Sequence, residues 1–319
     1  MQQLNRPPYV CNGCGENNKC KLEKKIYDAK DADNEYRALL KESREGFNLT
    51  ETEFLNIDTF VSERIDRGLS VYNIVHKNPD IVPCSESTIY RLIHSSTLKA
   101  RTIDLPRAVR FKVRKGKKKL MKIDKRCTLN HTYADYEKFV AENFDIQIIE
   151  MDSVEGKKGR KVLLTFMIRS CNMMFAFIRE RNTSQSVTDR INWLYQTLPE
   201  DTYQSLFGVL LTDNGTEFSN PSAIEQYEDT QRTRVFYCDP YSSYQKPKVE
   251  NNHELIRKVI PKGTSIDHLT QEDIDLMMSH INSYARKSLS NLSPTELFIQ
   301  AYGIEVLHLL RKCCVYFDN

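Results

Sequence analysis

Three acids, Asp152, Asp213 and Glu250, stand where a chain could grip divalent cations. Asp213 follows the apolar run Val209-Leu210-Leu211, the pattern of a short strand buried on both faces. Asn214-Gly215 comes next, and both residues tolerate the left-handed backbone of a tight turn. A carboxylate is thereby presented at the carboxyl end of a strand. Asp152 closes a second predicted strand, Ile146 to Asp152. Glu250 opens a predicted helix from about Val249 to Val259, where its charge suits the helix dipole. Magnesium prefers hard oxygen ligands and keeps some of its own waters. Two such ions about 4 Å apart activate an attacking oxygen and stabilise the leaving oxygen of a phosphodiester. Few carboxylates suffice if rigid elements make them converge. On chemistry alone, Glu217 and Glu254 compete with Glu250 for the third place, and Glu155 with Asp152.

The elements that must position these acids follow from apolar periodicity. Val162–Ser170 and Met173–Arg179 read as strands joined by a turn at Cys171-Asn172, and Thr183–Leu198 as an amphipathic helix. After the strand before Asp213 come a polar helix near Ala223–Tyr227, a strand Arg234–Cys238 and a loop Asp239–Lys248. Three antiparallel strands followed by alternating helices and strands predict an α/β mixed sheet with flanking helices over residues 145–300. Residues 301–319 form a tail.

Ahead of this lie three other segments. Residues 31–100 read as helical, with Ile57, Phe60, Val61 and Ile65 at helical spacing, a short helix at Val71–Val75 and a capped helix at Ser85–Ser96. That order is a helix-turn-helix. Its last helix would turn Ile89, Tyr90, Leu92 and Ile93 inward and show Ser87, Thr88 and Arg91 to a DNA groove. Residues 101–144 form a basic linker. Between Arg101 and Arg126, twelve basic residues, Arg114, Lys115, Lys117 and Lys118 among them, face only Asp104 and Asp124. A polyphosphate backbone is the partner such a strip suits. In residues 1–30, Cys11, Cys14 and Cys20 are candidate zinc ligands, although a closed zinc site takes four and no fourth is evident.

Bulk composition adds little. The 319 residues allow more than one domain, and 46 Lys+Arg against 43 Asp+Glu give a formal charge of +3. No apolar run is long enough for a membrane span, and no secretory signal is evident. Nine Cys, an odd number, read as reduced thiols rather than a disulfide framework. A cytoplasmic, nucleoid-associated protein is the expectation. His76, His94 and His131 read as packing or surface residues.

Several linked runs resemble one family. Thr212-Asp213-Asn214-Gly215-Thr216-Glu217-Phe218, Cys238-Asp239-Pro240-Tyr241-Ser242-Ser243-Tyr244-Gln245-Lys246, Glu250-Asn251-Asn252-His253-Glu254-Leu255-Ile256-Arg257 and Pro261-Lys262-Gly263-Thr264 occur in order. They are similar to runs of the bacterial insertion-sequence transposases of the "IS thirty" family, whose catalytic core is shared with retroviral integrases. The resemblance implies an RNase H-like fold and a metal-binding triad of Asp152, Asp213 and Glu250 holding two Mg2+ ions, with Mn2+ able to substitute. It implies DNA contacts from Arg257, to which the neighbouring cations Lys246 and Lys248 are added. It further implies cleavage and strand transfer at the ends of a mobile DNA element, with terminal repeats and target DNA as partners and at least a homodimer to hold two ends. Pro247 stands where the family has glycine, which predicts a stiffened loop. The family pattern also has another amino-terminal helix-turn-helix, which would precede Met1. The alternative readings are a repressor derived from an inactive or shortened transposase, and a nuclease of the same fold that cuts without joining.

Overall fold

A computed structural model describes residues 10–43, 49–105, 128–157, 160–240 and 242–310. It divides into two compact units, Met1–Ile57 and Asp58–Asn319. In the first, the side chain of Asn12 clamps the backbone of Tyr27, donating to its carbonyl at 2.9 Å and accepting from its N–H at 2.6 Å. Helix α1, Ala29–Ser43, follows and buries none of its residues. Helix α2, Glu51–Asp66, runs across the division between the units.

The second unit begins with α2's later turns, α3 (Val71–Lys77) and α4 (Glu86–His94). Ser70 and Ser85 accept from the N–H groups of Asn73 and Thr88, so each helix starts on a serine cap. Val61, Ile65, Ile74, Ile89, Leu92 and Ile93 form the buried interior that helical spacing predicts. Tyr90, expected inside, is exposed. The chain after α4 is tied back to α2: Asp58 accepts from the Lys99 N–H at 2.8 Å and Ser62 from Ala100 at 3.0 Å.

Helix α5 (Tyr133–Glu142) leads into a five-stranded sheet. Its strands are β1 (Ile148–Glu155), β2 (Val162–Ile168), β3 (Met174–Arg179), β4 (Val209–Thr212) and β7 (Arg234–Tyr237), in the order β3-β2-β1-β4-β7. β1 is antiparallel to β2, and β2 to β3, while β4 runs parallel to both β1 and β7. This mixed sheet with helices on both faces is the RNase H-like arrangement expected from the sequence. Between β4 and β7 lie α8 (Pro221–Glu225) and a small hairpin, β5 (Gln226–Tyr227) and β6 (Thr230–Gln231).

Side-chain alternation builds a core on each face. Met151, Phe166, Phe177 and Leu210 pack on one side with α6 (Ser184–Thr197), α7 (Glu200–Leu206), α11 (Pro294–Tyr302) and α12 (Ile304–Leu309). Val154, Leu163, Met167 and Ala176 pack on the other with α9 (Pro247–Val259) and α10 (Gln271–Ser283). Among the described residues no helix is long and apolar enough to cross a membrane.

Candidate active site

Strand register is what brings the first two acids level. β1 pairs with β4 so that Glu150 lies opposite Leu211. Two residues further along the parallel strands stand Asp152 and Asp213. Asp152 does not end its strand, as the sequence predicted. It pairs with Thr165 in β2, and that long partner carries the ladder on to Glu155. Asp213 does fall just past its strand. Its Oδ1 accepts from the Gly215 N–H at 3.2 Å, and Asn214 donates to the Cys238 carbonyl at 2.7 Å, pinning the turn to the end of β7. A Cβ on Gly215 would come within 2.6 Å of the Glu217 carboxylate, so a larger residue there would have to displace that side chain.

The third acid arrives on α9. Pro247 is that helix's first residue, where a fixed φ is pre-organised and a missing N–H costs nothing. The departure from the family pattern is thus a helix start. Glu250 lies in the first turn. That end of α9 is anchored by a device sequence reading missed. Glu150, fully buried, accepts from the Val249 N–H and from Arg169 Nε, both at 2.7 Å. Arg169 also donates to the Gln245 carbonyl and the Tyr136 hydroxyl, each at 2.7 Å. One ion pair, fully buried at Glu150 and half-buried at Arg169, therefore joins β1, the end of β2 and α5 to the helix that carries Glu250.

The electrostatics centre on Lys246. Expected as a DNA contact, it is only 5% exposed because its ammonium turns inward. Its Nζ lies 3.4 Å from Asp152 Oδ2 and donates to the Met151 carbonyl at 3.3 Å. Burial opposes its charge, yet Asp152 and Asp213 beside it leave its pKa above the usual value. Desolvation raises the Asp213 carboxyl above the ordinary range, Asp152 and Glu217 add to this, and Lys246 opposes it. Asp213 keeps an exposed face, so solvent tempers the desolvation. Glu250 is raised for similar reasons: desolvation, then the charge of Asp152, with Lys246 opposing.

His253, also unmarked in the sequence reading, completes the cluster. Its Nε2 lies 2.9 Å from the Thr165 hydroxyl and its Nδ1 4.0 Å from Asp152 Oδ2. Burial, then the cations Lys246 and Arg257, push its pKa down to about 3, so it is neutral. Arg257 is half-buried and donates to the Glu155 carbonyl at 2.8 Å, which turns it toward β1. Glu217 is buried and accepts from Asn182 at 3.1 Å.

The donors, the carboxylate oxygens of Asp152 and Asp213, suit a hard divalent cation. Among the described residues no group of three or more His, Cys, Asp or Glu is placed to hold one ion. Magnesium sites of the kind completed by substrate use one or two carboxylates, with waters and phosphate oxygens filling the rest. The Asp152–Asp213 pair fits that kind.

The remaining expected residues are dispersed. Ser87 and Arg91 are exposed on α4, while the Thr88 hydroxyl bonds Ser85 Oγ at 3.0 Å. Lys248 is half-buried. Cys11 and Cys14 are half-buried and Cys20 is exposed. Arg114, Lys115, Lys117 and Lys118 lie outside the described residues.

No family model matches the chain. It is 29% identical over 236 residues to a probable transposase for the insertion-like sequence element IS1161 of Streptococcus salivarius, covering 73% of this chain and 64% of the relative. It is 27% identical over 151 residues to the transposase InsI of insertion element IS30A of Escherichia coli, covering 46% of this chain and 37% of the relative. The chain thus spans less than two thirds of the length of either. Half of it aligns with the catalytic core domain of BIV integrase at 16% identity and a TM-score of 0.36. By sequence, the chain is similar to transposases of insertion-sequence elements.

Proposed function

We propose that the chain is a polynucleotidyl transferase that cleaves DNA at the ends of an insertion sequence and joins the freed 3′ hydroxyls to target DNA. The observation that carries this reading is the pair Asp152 and Asp213, brought level by adjacent parallel strands and sharing Lys246 as a counter-charge. Divalent cations, Mg2+ or Mn2+, held by Asp152, Asp213 and Glu250, would activate the attacking oxygen and stabilise the leaving one. The residues supply the frame. β1 and β4 fix two carboxylates, the Glu150–Arg169 pair fixes the start of α9, and Lys246 balances the charge of Asp152 and Asp213. Ser87, Thr88 and Arg91 on α4 would meet a groove, and Lys248 and the basic segment would meet phosphates. A helix-turn-helix region over 31–100, a linker over 101–144 and a catalytic core over 145–300 fit this division of labour. Two element ends must be held together, which calls for at least a dimer.

The test is an assay with a labelled duplex ending in the element's terminal repeat, a target plasmid and Mg2+. Cleaved ends joined to the plasmid are expected. Cleavage without joined product would make the chain a nuclease, and binding without cleavage would make it a repressor.

A further inference from the structure

We propose that Arg179 and Asn182 are positioning residues for DNA cleavage: from the sheet face opposite Lys246 they hold Asp152 and Asp213 in fixed relation to each other. The inference rests on the cleavage reading above and adds to it the device that sets the two acids.

Each acid has one oxygen tethered by a backbone N–H. Ser153 donates to Asp152 Oδ1 at 2.7 Å, and Gly215 to Asp213 Oδ1 at 3.2 Å. One buried guanidinium reaches both tethers. Arg179 ends β3 and is only 3% exposed. Alternation puts Ser153 and Arg179 on the face of Met151 and Phe177, under α6, while Asp152 points to the other face. Arg179 Nη2 donates to Ser153 Oγ and to Asn182 Oδ1, both at 2.8 Å. The guanidinium can only donate, so the Asn182 oxygen must face it, and the Asn182 amide nitrogen is left to donate. That nitrogen reaches Glu217 Oε1 at 3.1 Å and Glu155 Oε1 at 3.3 Å. Glu217 lies in the 3-10 turn Thr216–Phe218, whose Phe218 N–H bonds the Gly215 carbonyl at 3.0 Å. A chain of bonds thus runs from Ser153, beside Asp152, to the turn that holds Asp213.

Stability does not account for this arrangement. Arg179 Nε is buried with no hydrogen-bond partner among the described residues, and the other nitrogens donate to neutral oxygens. Burying such a charge is unfavourable and lowers the guanidinium pKa to about 10, with Glu217 opposing. An apolar side chain of that size would avoid both penalties. What only arginine supplies is a rigid fork that donates to Ser153 and Asn182 at once.

Arg179→Met puts the fold itself at risk, so the experiment works at Asn182. Asn182→Asp still accepts from Arg179 but has no proton to donate to Glu217. Combining it with Glu217→Gln reverses donor and acceptor and restores the bond. Mg2+-dependent nicking of a labelled terminal-repeat duplex is measured at saturating DNA, and exchange of the Gly215 amide by NMR without metal. All variants are checked for folding by circular dichroism. Asn182→Asp, and Asn182→Ala, which adds no charge, are expected to nick about tenfold more slowly with unchanged DNA affinity. Their Gly215 amide is expected to exchange up to about fivefold faster, the share of one weakened hydrogen bond. The double variant is expected to recover both. Wild-type nicking or unchanged exchange in folded Asn182→Asp or Asn182→Ala would overturn the inference. So would a folded double variant no better than Asn182→Asp. A wild type that does not nick would defeat the cleavage reading, and the amide exchange would then decide the positioning by itself.

Discussion

Lys246 carries the charge balance of the Asp152–Asp213 pair. Its ammonium lies against Asp152 and within the field of Asp213, with almost no exposure to water. Removing one member of such a pair strands the other's charge, a loss of about 3 kcal/mol when both are well buried. Asp152 is partly open, so Lys246→Met is expected to cost less, about 1–2 kcal/mol, in protein without added metal. The same variant no longer has an ammonium competing with a cation for Asp152 Oδ2. Mg2+ is therefore expected to raise its melting temperature more than that of the wild type, and thermal melts with and without Mg2+ read this directly. An equal or smaller rise would mean that Lys246 and the cation do not share that oxygen. Asp213 was legible in sequence because an apolar run, an acid and Asn-Gly together encode a strand tip. Lys246 and Arg257 were legible as cations only. Whether such a side chain faces DNA or turns inward depends on tertiary packing, which no local pattern records. His253 had no local mark either, because its position depends on Thr165 across the sheet.

At the level of elements, the start of α9 is held from below. Glu150 takes the Val249 N–H, while Arg169 takes the Gln245 carbonyl just before the helix. Arg169→Met would leave Glu150 charged and buried with one partner fewer, so a loss of about 3–5 kcal/mol is expected in urea unfolding. Because the network sets where Glu250 stands, cleavage is expected to fall further than stability alone explains under conditions where the variant remains folded. Unchanged cleavage per folded molecule would show that α9 finds its place without the pair. The elements themselves were largely readable. The strands at 162–168, 174–179, 209–212 and 234–237 and the helix at 184–197 lie within one or two residues of their predicted limits. β1 was the exception. Its sequence past Asp152 looks like a turn, Ser153-Val154-Glu155-Gly156, but pairing with β2 keeps it extended. Glu150 read as an ordinary strand residue, and only its burial reveals the anchor.

Across the whole molecule, stability and the proposed DNA affinity are expected to draw on different parts. Tyr203 is fully buried against Phe207 and Tyr195, and its hydroxyl has no hydrogen-bond partner among the described residues. Burial raises its pKa above the usual phenol value. The folded state thus keeps a proton that the unfolded chain releases from about pH 10 upward, so this contribution is present below pH 10 and lost above it. Tyr203→Phe is expected to be neutral or to stabilise by about 1 kcal/mol near neutrality and to remove part of the alkaline loss. Guanidinium unfolding at pH 7 and pH 11 checks both, and a destabilised Phe variant would mean that the hydroxyl is satisfied. DNA affinity is expected to come largely from the basic strip. Neutralising Arg114, Lys115, Lys117 and Lys118 together is expected to flatten the dependence of log K on log salt by up to about 0.9 for each phosphate left without its cation. An unchanged slope would place the DNA elsewhere.

Everything above depends on Asp152 and Asp213 forming one cation-dependent centre for cutting DNA. The direct measurement compares wild type and Asp213→Asn, each bound to a labelled terminal-repeat duplex, for Mg2+-dependent nicking at matched occupancy of the DNA. Nicking by the wild type and none by the variant, with binding retained by both, is the expected result. Nicking by Asp213→Asn at the wild-type rate would contradict it.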